Sequence, residues 1–134
     1  ARVVDRTFEM ASFNWEHYHM RRPRFAWGAS FHDANTPWNR AGSSDFIDEI
    51  LKIDIEQGAV AGTYHEDGGF ICEPIFAPRP GGTAEDDGVL LTVGHDSAAD
   101  RSFLAIINAT TTAPTAAAEA SRVPRAERRG KRAR

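Results

Sequence analysis

Cysteine is almost missing from this sequence. The one thiol, Cys72, has no partner in the chain, so no intrachain disulfide can brace the fold. It sits in the apolar run Phe70–Phe76 (FICEPIF) and reads as a small buried hydrophobe. Long hydrophobic runs are also lacking: none approaches the roughly 18 to 20 residues that a helix needs to span a bilayer. The opening ARVVDRTFEM has no basic-then-apolar leader pattern. These two absences predict a cytoplasmic parent protein. No repeat of fixed period is present, so no repeat architecture can be read from periodicity. The first residue is not Met, and its first eight residues run directly into a motif. That is the pattern expected of a piece that begins inside a longer protein.

What is present is an average globular composition, with 41% hydrophobic and 26% charged residues in 134. Charge is unevenly placed: of 16 Lys and Arg and 19 Asp and Glu, seven bases and one acid fall in Arg122 to Arg134. The tail therefore carries +6 (7 − 1), and the body −9 (9 − 18), which sum to the net −3. A basic end can serve nucleic acid, but RVPRAERRGKRAR has no aromatic residue for base stacking. We read residues 122–134 as a solvated, disordered tail with no nucleic-acid role.

From Arg24 onward, short apolar or alternating segments are separated by clusters of Gly, Pro, Asn and Asp, the spacing of an all-β domain. The predicted strands are Arg24–Ser30, Ile47–Ile55, Ala59–Tyr64, Phe70–Phe76, Val89–Val93 and Phe103–Asn108. The segment DFIDEILKIDIEQG carries Phe46, Ile47, Ile50 and Leu51 at helical spacing, yet LKIDIEQGAV alternates and EQG looks like a tight turn, so strand is favoured. TTTAPTAAAEA, low in complexity and interrupted by Pro114, reads as a loop or a frayed helix.

Five histidines invite a metal reading. His17 and His19 would share a face if HYH were extended, but no third ligand is near in sequence; of the others, His32, His65 and His95, the last two sit beside turn residues and read as solvated loop side chains. Glu85-Asp86-Asp87-Gly88 lacks the alternating ligands of a calcium loop and fits a solvated hairpin turn ahead of VLLTV. Glu73 is different. A carboxylate inside ICEPIF would be costly unless it accepts hydrogen bonds, and Pro74 after it suggests a strand edge. Such a group could orient a metal-bound histidine, or it could pair with Arg79. Glu9, between Phe8 and Met10, is by itself uninformative.

Taken in order, these segments resemble the C-terminal quarter of the carotenoid oxygenase family. TFEMASFNWEHYHMRRPRFAWG is similar to the family's Phe-Glu phrase and the aromatic-rich strand after it. ILKIDIEQG looks like its apolar-Lys-apolar-Asp strand and turn. CEPIFAPRPGGTAEDDGVLLTV matches its Glu-Pro-apolar-Phe stretch and Glu-Asp-Asp-Gly, and SFLAIINA its next strand. The resemblance implies that residues 1–121 are the C-terminal part of a seven-bladed β-propeller, ahead of the tail. It implies an Fe(II) held by four histidines, three of them backed by glutamates, and Glu9 and Glu73 stand at two of those glutamate positions. The implied reaction is oxidative cleavage of a C=C bond in a carotenoid, apocarotenoid or stilbene by O2, in a parent with peripheral membrane contact. The family's last ligand, in a Pro-Phe-Gly-Phe-His-Gly turn, has no counterpart where RVP runs into RAERRGKRAR, and Ala11 replaces the usual Pro. The other three ligands would lie upstream, so this piece is expected to supply no metal ligand and to be inactive alone. The alternative is a non-catalytic propeller remnant with a binding or structural role.

Overall fold

β-Branched and aromatic residues alternate with small or polar ones along most of the chain, and punctuating glycines and prolines cut that pattern into short strands. The computed structural model describes residues 4–32 and 47–115. In chain order the elements are β1 (Glu9–Ser12), α1 (Trp15–Tyr18), β2 (Phe25–Ser30), β3 (Glu49–Asp54), β4 (Ala59–His65), β5 (Gly69–Ile71), β6 (Ile75–Pro78), β7 (Gly88–Asp96) and β8 (Arg101–Asn108). They form two antiparallel sheets. The first is the meander β1-β2-β3-β4; in the second, β5 and β6 both pair with one side of β7, and β8 with the other.

The all-β reading holds, with one helical turn added. Segments 24–30, 47–55, 59–64, 89–93 and 103–108 each fall on a strand, with β4, β7 and β8 running past the expected ends. DFIDEILKIDIEQG gives β3, and the turn after it is built by Asp54, whose Oδ1 accepts from the backbone N–H of Glu56 and Gln57 at 3.0 Å each, while Gly58 takes φ 65°. Two expectations need correction. HYH is not extended: WEHY is a helical turn capped by Asn14, whose Oδ1 accepts from the His17 N–H at 3.2 Å, so His17 and His19 do not share a strand face. The run Phe70–Phe76 is not one buried strand but β5 and β6 with a break at Cys72-Glu73-Pro74, where Cys72 is exposed. Of the loop expected at 32–45 all but His32, and the basic tail at 122–134, lie outside the described residues; 109–111 form a turn, and Pro114 is bridged to Ile107.

The core lies between the sheets. Trp27 and Ile50 of the first meet Phe76, Leu90, Phe103, Ala105 and Ile107 of the second. Trp27 is fully buried, its ring stacks on Phe76 at 4.8 Å, and its indole N–H donates to the Ala109 carbonyl at 3.2 Å. Burial of so large a side chain dominates such a small interface, and truncating it typically costs about 3–5 kcal/mol.

A polar seam crosses the same interface. Lys52 sits opposite Trp27 in the β2–β3 register and is 3% exposed. Its ammonium donates to Asp86 at 2.6 Å and to the Thr110 carbonyl at 2.9 Å, and lies 4.4 Å from the Phe25 ring centroid. A buried cation needs such partners, because losing water is otherwise prohibitive.

Candidate functional site: two carboxylates on bulged first strands

Glu9 and Glu73 occupy corresponding places in the two sheets. Glu9 opens β1, at the edge of the first sheet; Glu73 lies in the break between β5 and β6, which together form one edge of the second. Each lies at a one-residue irregularity. Between Glu9↔Ala29 and Ser12↔Trp27 the edge strand advances three residues and β2 two. Between Ile71↔Gly94 and Ile75↔Leu91 the edge advances four residues and β7 three. One extra residue in each edge is a β-bulge, which twists the strand and re-aims the side chains beside it. In β1 the bulge takes Met10 to φ 54°, the left-handed region that a non-glycine residue enters only when its surroundings hold it there.

Both segments are pinned. Gly28 of β2 leaves room for Phe8: a Cβ there would lie 2.6 Å from the Phe8 ring and 2.8 Å from the Glu9 carbonyl oxygen. At the second bulge Cys72 donates its N–H to Val93 at 2.8 Å, and the Thr92 hydroxyl donates to the Cys72 carbonyl at 2.7 Å. The two edges also meet, because the Phe76 N–H donates to Ser12 Oγ at 3.0 Å.

The carboxylates themselves are uncommitted. Among the described residues only Glu9, Glu16 and Glu73 have a carboxylate with neither a hydrogen bond nor an ion pair. Glu73 is exposed rather than buried in an apolar strand, and Glu9 is half-buried. The pairing of Glu73 with Arg79 does not form, since Arg79 donates to Asp87 at 2.7 Å.

The acidic triplet is likewise not a solvated turn. Glu85 Oε1 accepts from the backbone N–H of Arg24 at 2.7 Å and of Phe25 at 2.8 Å, and the Glu85 carbonyl accepts from Asn14 Nδ2 at 3.0 Å. Asp86 takes Lys52, and Asp87 takes Arg79. Three neighbouring acids thus clamp three elements, with Glu85 also helping to hold the Tyr18 phenol above its usual range, after the larger effect of burial.

The histidines form no cluster with metal-ligand geometry, and among the described residues no group of three or more His, Cys, Asp or Glu could hold a metal ion. His65 is the last residue of β4 and His95 lies in β7, so neither is a loop side chain. His32 and His65 stack with ring centroids 3.9 Å apart, beside buried Glu49, which pairs with Arg6. Burial, the largest influence, together with nearby Asp48 holds the Glu49 carboxyl above its ordinary value against the opposing pull of Arg6 and His32. Asp54 is held below the usual range, first by its hydrogen bond from Arg24, 2.7 Å from Nη2. Ser12 and Thr92 were not singled out from sequence; isolated hydroxyl residues carry no local signal of a partner 64 or 20 residues away.

Residues 1–125 match a family model described as retinal pigment epithelial membrane protein. Apocarotenoid-15,15'-oxygenase of Synechocystis sp. is 46% identical over 63 residues, 47% of this chain and 13% of that protein. Carotenoid cleavage dioxygenase 8 homolog B, chloroplastic, of Oryza sativa is 35% identical over 102 residues, 76% of this chain and 16% of that protein. The crystal structure of cobalt-substituted Synechocystis apocarotenoid oxygenase is similar with a TM-score of 0.68 at 32% identity, over 82% of this chain and 21% of that one. The chain spans less than a quarter of the length of each of these relatives.

Proposed function

The chain belongs to the carotenoid oxygenase family, and we propose that its two sheets are blades of a seven-bladed propeller enzyme that cleaves a C=C bond of a carotenoid, apocarotenoid or stilbene with O2. Glu9 and Glu73 are its contribution to the iron centre: each accepts a hydrogen bond from the N–H of an imidazole that binds iron through its other nitrogen. When bound, Fe(II) supplies the redox chemistry toward O2 and the polyene, which leaves as aldehyde or ketone products.

The donor set fits this role. An ionised carboxylate only accepts, and a ligand imidazole has one N–H left to give; the pair fixes the ring's tautomer and raises its basicity. The observation that carries the reading is that these two carboxylates, alone on the sheet edges, are left without a partner among the described residues. Apart from Glu16 on the exposed helical turn, the other acids among the described residues are paired.

The test uses the full-length protein that carries this chain. Glu9→Gln and Glu73→Gln keep side-chain size but replace the anion by a neutral amide, and should each lower iron retention and cleavage rate by roughly 10- to 100-fold. Glu16→Gln, on the exposed helical turn, is the control; Glu85 cannot serve, because its carboxylate caps β2. If all three variants keep iron equally, the assignment of Glu9 and Glu73 is wrong. A folded protein that neither holds iron nor cleaves a polyene is the result that favours a non-catalytic binding or structural role.

A further inference from the structure

We infer that Ser12 is a positioning residue: its hydroxyl ties the strand that carries Glu9 to the strand that carries Glu73, and so sets the spacing and aim of the two carboxylates together. The inference rests on the proposed role of those two glutamates.

The argument starts from the hydrogen-bonding capacity of a sheet edge. β6 pairs with β7 on one side, so its alternate N–H groups face away from the sheet with no strand to receive them. Phe76 is one of these, and it is 8% exposed, so water is a poor substitute. Ser12 Oγ accepts that N–H at 3.0 Å. Ser12 stands three residues after Glu9, on the far side of the first bulge, and Phe76 three residues after Glu73, on the far side of the second. The contact therefore joins the two irregular edges at matching positions.

A bulge is a place where backbone direction is weakly set by the ladder, because the extra residue is unpaired. Glu73 has one anchor on its N-terminal side, where Thr92 and Val93 hold Cys72. The first cross-sheet anchor on its C-terminal side is the bond from Phe76 to Ser12. Without it, Glu73 and Pro74 lose their reference to β1, while the Trp27–Phe76 stack and the rest of the core stay in place. The expected consequence is a loosened carboxylate pair in a protein that still folds.

The experiment takes the full-length protein with Ser12→Ala, Ser12→Thr, Glu9→Gln, Glu73→Gln and the double variant Ser12→Ala/Glu73→Gln. It measures iron retained against a chelator, the visible spectrum after loading with Co(II), and the melting temperature of the metal-free protein. Ser12→Ala should release iron roughly 3- to 10-fold faster, as expected for one lost hydrogen bond to a positioned segment, with the metal-free melting curve little changed. Ser12→Thr, which keeps the oxygen, should restore retention and the Co(II) spectrum. The double variant should lose little beyond Glu73→Gln alone, because both changes act through one group. Should Ser12→Ala fold poorly, Ser12→Cys fills the space with a weak acceptor and must give the same loss. Wild-type retention in Ser12→Ala, alongside losses in both glutamate variants, overturns the inference and leaves the glutamate reading standing. Additive losses, or iron loss that only follows a loss of folded metal-free protein, overturn it as well. Wild-type retention in both glutamate variants removes the reading on which it rests.

Discussion

Lys52→Met is the most informative test of how the two sheets are fastened. The ammonium of Lys52 is buried with a side-chain exposure of 4% and is shared between Asp86 at 2.6 Å and the Thr110 carbonyl at 2.9 Å. Methionine fills most of the volume, so the cavity contribution is small and the electrostatic one is isolated. Removing one partner of a buried pair costs about 3–5 kcal/mol, because the other is left uncompensated. Asp86 keeps 17% of its side-chain exposure, so some water reaches it and the lower part of that range, about 3–4 kcal/mol, is expected. Arg79–Asp87 supplies the contrast within the same loop: at 66% and 30% exposure it should be worth at most about 1 kcal/mol when Arg79 becomes Met. The assay is the melting temperature of the full-length protein at low and high salt, with Lys52→Met/Asp86→Leu closing a double-mutant cycle. The Lys52 effect should persist at high salt and be largely recovered in the double variant, whereas the Arg79 effect should fade. Equal, salt-sensitive losses for the two lysine and arginine variants would refute the claim that the Lys52 pair is a buried fastening.

Two further outcomes follow from the same packing. Glu49 and Asp54 shift in opposite directions, so their pH contributions have opposite sign. For Glu49 the folded state holds its proton more tightly, so stability falls as pH rises from the ordinary carboxylate value of about 4.3 to the raised one, and Glu49→Gln should flatten that stretch of a melting-temperature profile. For Asp54 stability is fully present above the ordinary value of about 3.9 and is lost as pH falls toward the depressed one, so Asp54→Asn should be less acid-sensitive relative to its own neutral value; an unchanged acid limb would count against the Arg24 contact. Gly28→Ala places a methyl group against Phe8 and the Glu9 carbonyl, and iron retention should drop in parallel with Glu9→Gln, while Gly62→Ala, next to Thr112, should affect melting alone.

Strand positions were legible wherever the punctuation has a local mechanism. Asp54 capping the EQG turn, Gly68 at φ 69° ahead of β5, and the Pro-Gly-rich stretch before β7 each act within a few residues. What failed was nonlocal. β1 is four residues with no alternating pattern, and it exists because β2 offers Gly28 as a seat for Phe8. Glu85 looked solvated because its backbone partners at Arg24 and Phe25 are 61 and 60 residues away. The helical turn at WEHY was masked by its aromatic content, which favours extended readings, whereas Asn14 as an N-cap was a readable signal. Pro74 correctly marked a strand edge, but the extra residue that makes the break can be counted only once both pairings to β7 are known.

The placement of unpaired charge separates site from scaffold in this chain. Acidic side chains in the interior and beside it close specific contacts: Glu49 with Arg6, Asp54 with Arg24, Asp86 with Lys52, Asp87 with Arg79. Those contacts remove a cost that burial would otherwise impose. Glu9 and Glu73 depart from that pattern at two places where the backbone also departs from regular pairing, and both departures fall on an edge of a sheet. A bulge weakens a ladder, and among the described residues the anion beside it gains no hydrogen bond or ion pair. Local features that lower stability without compensation inside the described residues are the ones expected where a fold has been shaped for a ligand. Because Ser12 then links the two departures to each other, they behave as one unit. The consequence is specific: variants at Glu9, Ser12 and Glu73 should couple in metal retention, and none should couple with Lys52, whose contacts run instead to Asp86 and Thr110.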